Sequence, residues 1–168
     1  MKGKVAGIYI TNMASAPMRE VASAIAVAGK GLEGDRYAAG IGFYSPNPTT
    51  EGARELTLIE QEAIEVLRSD GGVEVAAVET RRNVATRDVR LGELLGMRFN
   101  IGPVMCEGVR DCPPCAHLDE LTGKHLMPLL VRSGGLRARI VEGGTISAGD
   151  EITIIGPSQG PTHPEVDA

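Results

Sequence analysis

Glycine and proline punctuate this chain so often that no long helix can run through it. Its 168 residues include 22 glycines and 10 prolines, spread between short apolar runs. Glycine turns the chain where other residues would be strained, and proline fixes φ and lacks a backbone donor. The spacing therefore implies short strands joined by tight turns. Residues 4–10 alternate as a strand, and residues 20–28 ("EVASAIAVA") alternate as another. "GKGLEGDRYAAG" is a glycine-rich loop, and "SPNPTTEGAR" (residues 45–54) is a mobile polar surface loop. "ELTLIEQEAIEVLRSDGG" begins as a strand and continues as a helix. Its Ile59, Ala63, Ile64 and Leu67 share one face until Gly71 and Gly72 end it.

Further along, "VEVAAVETRRNVATRDV" reads as extended chain broken near Thr80, and "LGELLG" as a single helical turn. "MRFNIG" and "VMCEGVR" form two strands joined at Gly102 and Pro103, and residues 126–131 a short apolar helix. "LRARIVEGGTISAGDEITII" carries the strongest hairpin pattern, with turns at "GG" and "AGD". Residues 156–168 hold three prolines and no apolar pattern; they are expected to be a disordered tail, which leaves residues 1–155 as one domain. No internal repeat is visible. So many short strands leave many open edges, and closing the sheet on itself removes them. The expected fold is one mostly-β barrel with a few short helices.

An apolar fraction of 42% with 23% charged residues is ordinary for a globular domain. No apolar run approaches the ~20 residues that span a bilayer. "MKGKVAG" leads straight into a strand pattern without the apolar core of a signal peptide, so no membrane association and a cytoplasmic location are expected. Three cysteines, an odd number, argue against a disulfide framework. A net charge of -5 and only five aromatic residues argue against a nucleic-acid partner. The basic residues are 13 arginines and four lysines, with arginines grouped at Arg81-Arg82, Arg87–Arg90 and Arg137–Arg139. Forked guanidinium groups suit phosphate and carboxylate, which points to a small anionic ligand. Glu60 and Glu62 read as a solvated helix face, and Ser133 lacks the flanking pattern of a nucleophile elbow. Hydrolysis and acyl transfer are therefore set aside.

The chemistry concentrates in "GVRDCPPCAHLDELTG" (residues 108–123). Cys112 and Cys115 form C-x-x-C, a spacing that serves zinc binding and disulfide exchange. A zinc ribbon needs a second such pair, and a thioredoxin-like site needs βαβ surroundings; both are missing. Cys106, within "VMCEG", reads as a small buried hydrophobe. With Pro113-Pro114 opening a helix, Cys115 falls in its first turn, where backbone N–H groups favour a thiolate. Cys112 lies just outside that helix and is the weaker candidate. His117, two residues beyond Cys115, points to the other side of an ideal helix and reads as a surface or structural histidine.

"GKGLEGDRY", "ELTLIE", "ETRRNVAT", "LLGMRFNIG", "CPPCAHLDELTG" and "GGLRARIVEGGTISAGDEI" follow one another in an order that resembles the MOSC domain family, named for the C-terminal domain of molybdenum cofactor sulfurases. The resemblance spans about residues 4–154 and is nearest to small stand-alone bacterial members. It implies a strongly coiled β-barrel of the pyruvate-kinase barrel type. The family cysteine corresponds to Cys115 in "PCAHL". The resemblance implies that Cys115 ligates the metal of molybdenum cofactor (molybdopterin) for reduction of N-hydroxylated substrates, or carries sulfur. It also places Arg81, Arg82 and Asn83 of "TRRN", with Arg36 of "GDR", around the pterin phosphate. Its implied partners are an electron-donor protein or a cysteine desulfurase. The chain is too short to add the pyridoxal-phosphate domain of sulfurases, so pyridoxal phosphate would act only through a separate sulfurase partner. A second reading is a non-catalytic carrier that ferries the cofactor, or a sulfur atom as a Cys115 persulfide, between partner proteins. A third is a barrel used only for contact with other proteins.

Overall fold

The computed structural model describes residues 2–159. The strands are β1 (Gly3–Ile10), β2 (Arg19–Val21), β3 (Ser23–Val27), β4 (Gly31–Leu32), β5 (Leu56–Glu60), β6 (Val84–Arg87), β7 (Met97–Ile101), β8 (Val104–Asp111), β9 (Leu136–Glu142), β10 (Gly144–Ser147) and β11 (Glu151–Pro157). The helices α1 (Gln61–Ser69), α2 (Ala116–Thr122) and α3 (Met127–Leu130) are short, as the glycine and proline spacing requires. Two 3-10 turns, Ala77–Thr80 and Leu91–Leu94, stand near the break at Thr80 and at "LGELLG". None of the described helices is long and apolar enough to cross a membrane.

Seven strands close into a barrel in the order β11-β7-β8-β9-β5-β6-β1, with Gly3 and Lys4 of β1 returning to β11. The β5–β6 pair is parallel, and the other barrel pairings are antiparallel. Register shifts in β1, β8 and β11 bend the strands and supply the coiling that closure needs. Alternation then decides which side chains enter. Leu56 and Leu58 of β5 and Leu136, Ala138 and Ile140 of β9 join Ile8, Phe99, Ile101 and Cys106 in one buried cluster. Their neighbours Thr57, Arg137 and Arg139 therefore face outward.

The expected hairpin does not form. β9 has both edges taken, by β8 and β5, and β11 lies between β7 and β1. β10 pairs with β3 instead, in a separate three-stranded sheet that includes β4. Glycines mark where a chain turns, but free edges decide what it pairs with. The strand expected over residues 20–28 divides at Ala22 for the same reason, with β2 on β1 and β3 on β10. Residues 45–54 form successive turns tied to the body: Ala53 is fully buried, and Arg54 donates to the Ser45 carbonyl. Glu60 and Glu62 are not simply solvated, since each accepts a loop N–H, from Leu91 and Asp88 respectively. β11 continues through Pro157, and the Ser158 N–H donates to Gly96 O. The remainder of the expected tail, residues 160–168, lies outside the described residues.

One ion triad crosses the outer wall. Glu107 accepts from Arg98 Nε at 2.7 Å and from Arg139 Nη2 at 2.8 Å, joining its ladder partners on β7 and β9. Burial opposes ionisation of Glu107, but the two guanidinium groups outweigh it and hold its carboxyl below the usual range. A depressed carboxyl stabilises the fold above its unfolded pKa, and that stabilisation is lost as pH falls through the folded one. Glu107→Gln should therefore be less stable than wild type at pH 7, and the two unfolding midpoints should converge as pH drops below about 4. A constant difference across that range would contradict the triad. Cys106 has no exposed surface, and burial pushes its thiol up to about 12. Cys106→Ser should cost about 1–3 kcal/mol in denaturant unfolding, because a hydroxyl replaces a thiol in an apolar site.

Candidate functional site

A cavity of about 190 Å³ lies against the outer face of the barrel wall. Thr57 and Arg137, Cα partners across β5 and β9, form part of its floor. Its other walls are the loop carrying Arg36 to Tyr44, the Arg81-Arg82 turn before β6, and the segment from Arg110 to Leu118. Cys115 is half-buried and lines this cavity. Thr57 and Arg137 point away from the barrel interior, which is filled by side chains.

Cys115 is the N-cap of α2 rather than a first-turn residue: its backbone is extended (φ -138, ψ 165), and its carbonyl accepts from Leu118 N. Leu118 anchors the helix in a small cluster with Leu67, Val75, Leu126 and Leu130, against which Cys115 also packs. Because Cys115 is off the helix, ideal helical spacing does not separate it from His117. His117 lines the same cavity, stacks on Phe43 at 3.6 Å with 6° between planes, and pairs its Nε2 with Ser15 Oγ at 2.9 Å. The expectation that His117 points away from Cys115 is thus corrected, while its stacking and hydrogen bond agree with a structural role.

Five arginines line the cavity (Arg36, Arg81, Arg82, Arg110 and Arg137), and no aspartate or glutamate among the described residues does. Arg36 is held by buried Asp35 at 3.0 Å, and Asp35 also accepts the N–H groups of Thr11 and Tyr37. Arg81 has a left-handed backbone (φ 62) and donates to Ala16 O at 2.7 Å. Burial, and then the neighbouring charge of Arg36, bring Arg81 down to about 10, so it stays a cation at neutral pH. Nε of Arg137 is buried without a partner, while its Nη1 donates to Ala53 O. Such a concentration of one sign costs free energy that an anion in the cavity would offset.

Two residues expected at a phosphate are otherwise engaged. Asn83 lies outside the cavity lining; its amide accepts from Thr57 N and Oγ1 and donates to Tyr9 O, tying β1 and β5 to the start of β6. Arg82 lines the cavity, yet its guanidinium makes four hydrogen bonds to backbone carbonyls. Cys112 is buried, 1% exposed, in the wall beside them.

Three aromatic residues escaped the sequence reading. Tyr37, Phe43 and Tyr44 all line the cavity, and they are three of the five aromatics in the chain. Their grouping within residues 37–44 of an aromatic-poor chain was the available signal. The Tyr44 hydroxyl lies beside the Cys115 thiol; burial first, and that thiol second, push Tyr44 up to about 12. Tyr44 therefore keeps its proton and presents a donor next to the sulfur.

The comparisons with known proteins agree with this architecture. No curated protein matches the chain. The crystal structure of the YuaD protein from Bacillus subtilis superposes with a TM-score of 0.76 at 20% identity, covering 94% of this chain and 98% of that one. YiiM from Geobacillus stearothermophilus gives 0.69 at 12% identity (91% and 75% covered), and YiiM from Escherichia coli 0.62 at 16% (92% and 71%). At such identities the likeness concerns the fold. The sequence itself matches the MOSC domain over residues 33–153, a stretch that contains most of the barrel, the cysteine segment and every cavity arginine. On that match the chain belongs to the MOSC domain family.

Proposed function

We propose that Cys115 is the working thiolate of a molybdenum-cofactor site, and that the protein reduces N-hydroxylated substrates with electrons from a partner protein. The observation that carries this reading is the meeting of one accessible thiol with five arginines in a cavity that no carboxylate among the described residues lines. Among the described residues there is no group of three or more His, Cys, Asp or Glu that could hold a bare metal ion. A metal bound here must bring ligands of its own, as molybdenum does in its pterin cofactor, and needs from the protein one soft donor and cations for its phosphate. The cavity supplies both.

In this assignment Cys115 Sγ is the soft ligand, and Arg36, Arg81, Arg110 and Arg137 receive the phosphate. Arg82 shapes the site through backbone carbonyls, while Asn83, outside the lining, ties β1 and β5 to the start of β6. When bound, the cofactor supplies the two-electron redox chemistry. The substrate takes up two electrons and two protons, loses its hydroxyl oxygen as water and leaves as the amine. Tyr44 holds a proton beside the sulfur, and the Ser15–His117 pair holds another in the same cavity. The free thiols fit a reducing compartment, and we assign the protein to the cytoplasm.

A second reading draws on Cys112, a further thiol in the same wall. Cys115 would then carry sulfur as a persulfide, delivered by a separate pyridoxal-phosphate-dependent cysteine desulfurase and passed to cofactor or protein acceptors.

Protein purified from a host that makes molybdenum cofactor should retain molybdenum, and Cys115→Ser should lose it while unfolding within about 1 kcal/mol of wild type. Equal metal content in the two proteins would sink the assignment; a persulfide on Cys115 without metal or reductase turnover would favour the carrier. Arg81→Gln should weaken cofactor binding by about 1.5–3 kcal/mol through one lost charge-assisted contact, and less at high salt. Titration at two ionic strengths measures both effects.

A further inference from the structure

We propose that Arg82 is the positioning residue of this site. Its guanidinium, set against the Gly134-Gly135 backbone, holds the Cys112–Cys115 arch so that Cys115 meets the cavity while Cys112 stays shut in the wall. The inference rests on Cys115 being the working thiol, and it changes the role expected of Arg82 from phosphate ligand to clamp.

The arch is short of backbone donors. Pro113 and Pro114 have no N–H, so the first two of the three peptide groups between the cysteines can be fixed through carbonyls alone. Arg82 takes two of them, Cys112 O at 3.1 Å and Pro113 O at 3.2 Å, both through Nη2. Its Nε donates to Gly134 O at 2.8 Å and its Nη1 to Thr80 O at 3.2 Å. One planar group thereby joins three separated segments: its own turn, the arch, and the loop leading into β9. A lysine ammonium is a point charge without that fork. Arg82 is 8% exposed, and no carboxylate pairs with it among the described residues. Its hydrogen bonds are thus spent on placing backbone.

The opposite side of the arch is equally close. Cys112 N donates to Gly135 O at 2.9 Å. A Cβ on Gly134 would lie 2.5 Å from Cys112 O and 3.0 Å from Pro114 Cδ. Gly135 has φ +118, and a side chain there would collide with the Leu58 carbonyl. The double glycine therefore lets the arch settle onto the loop within reach of Arg82, a use that the sequence reading did not assign to it.

The test needs no cofactor. Cofactor-free full-length protein is alkylated briefly with iodoacetamide, and modification at Cys112 and Cys115 is counted by peptide mass spectrometry. Wild type should modify Cys115 and protect Cys112. Arg82→Lys and Gly134→Ala, which loosen the arch from opposite sides, should each raise Cys112 modification relative to Cys115 on the order of tenfold, through local opening. Asn83→Ala removes a buried amide from the neighbouring position; it should lower the melting midpoint and leave the ratio unchanged. Methylguanidinium added to Arg82→Ala should restore protection of Cys112. A folded Arg82→Lys protein with the wild-type ratio overturns the clamp. If that variant does not fold, an unchanged ratio in Gly134→Ala overturns it, as does an equal rise in Asn83→Ala. Failure of wild-type Cys115 to react ahead of Cys112 instead removes the working-thiol reading on which the clamp stands.

Discussion

Closing seven strands on themselves leaves an interior that side chains fill completely, and the location of the site follows from that closure. Phe99, Ile101, Leu56, Leu58 and their neighbours occupy the space a ligand would need, so binding chemistry is displaced to the outer surface of the wall. Strand alternation then supplies that surface with polar side chains. Every inward leucine on β5 and β9 leaves an outward Thr57, Arg137 or Arg139 between it and the next. The ladder that builds the core thus also builds the floor of the cavity, and the loop from Arg36 to Tyr44 and the segment from Arg110 to Leu118 complete it.

Electrostatics give that cavity its character. The whole chain is acidic, with a net charge of -5, yet the cavity collects five arginines and no carboxylate among the described residues. Among the described residues only Arg36 of the five has its charge met by an acid, Asp35, whose other bonds hold the loop beneath it. Arg81 is pulled down by burial and by Arg36 without losing its proton. A fold does not gain stability from such an arrangement alone, and an anionic ligand is the simplest group that would balance it. The thiol of Cys115, with the Tyr44 hydroxyl beside it, stands at the edge of this field.

Much of the architecture could be read along the chain. Turn residues marked the ends of most strands, the 59–67 apolar stripe located α1, and the buried character of Cys106 followed from its apolar neighbours. Cys115 was separable from Cys112 by the two prolines and the helix after them. Three of the readings that failed share a cause. The hairpin over residues 136–155, the strand over residues 20–28 and the turning of His117 away from Cys115 each assumed that local spacing continues unbroken. Pairing in fact went to whichever edge was free, and the extended backbone at Cys115 reset the helical count.

The amino-acid order alone was enough to specify a mostly-β chain of short strands, an excess of forked cations and one thiol at a helix start, because these depend on composition and neighbours. Which arginines face the thiol, which support the backbone and which aromatic rings join them depends on residues 24 to 102 positions apart in the chain, as Thr11–Asp35 and Ser15–His117 show. Arg82 and Arg81 are adjacent and chemically identical. The folded chain surrounds one with carbonyls and leaves the other facing the cavity, a distinction that arises only from packing between distant segments.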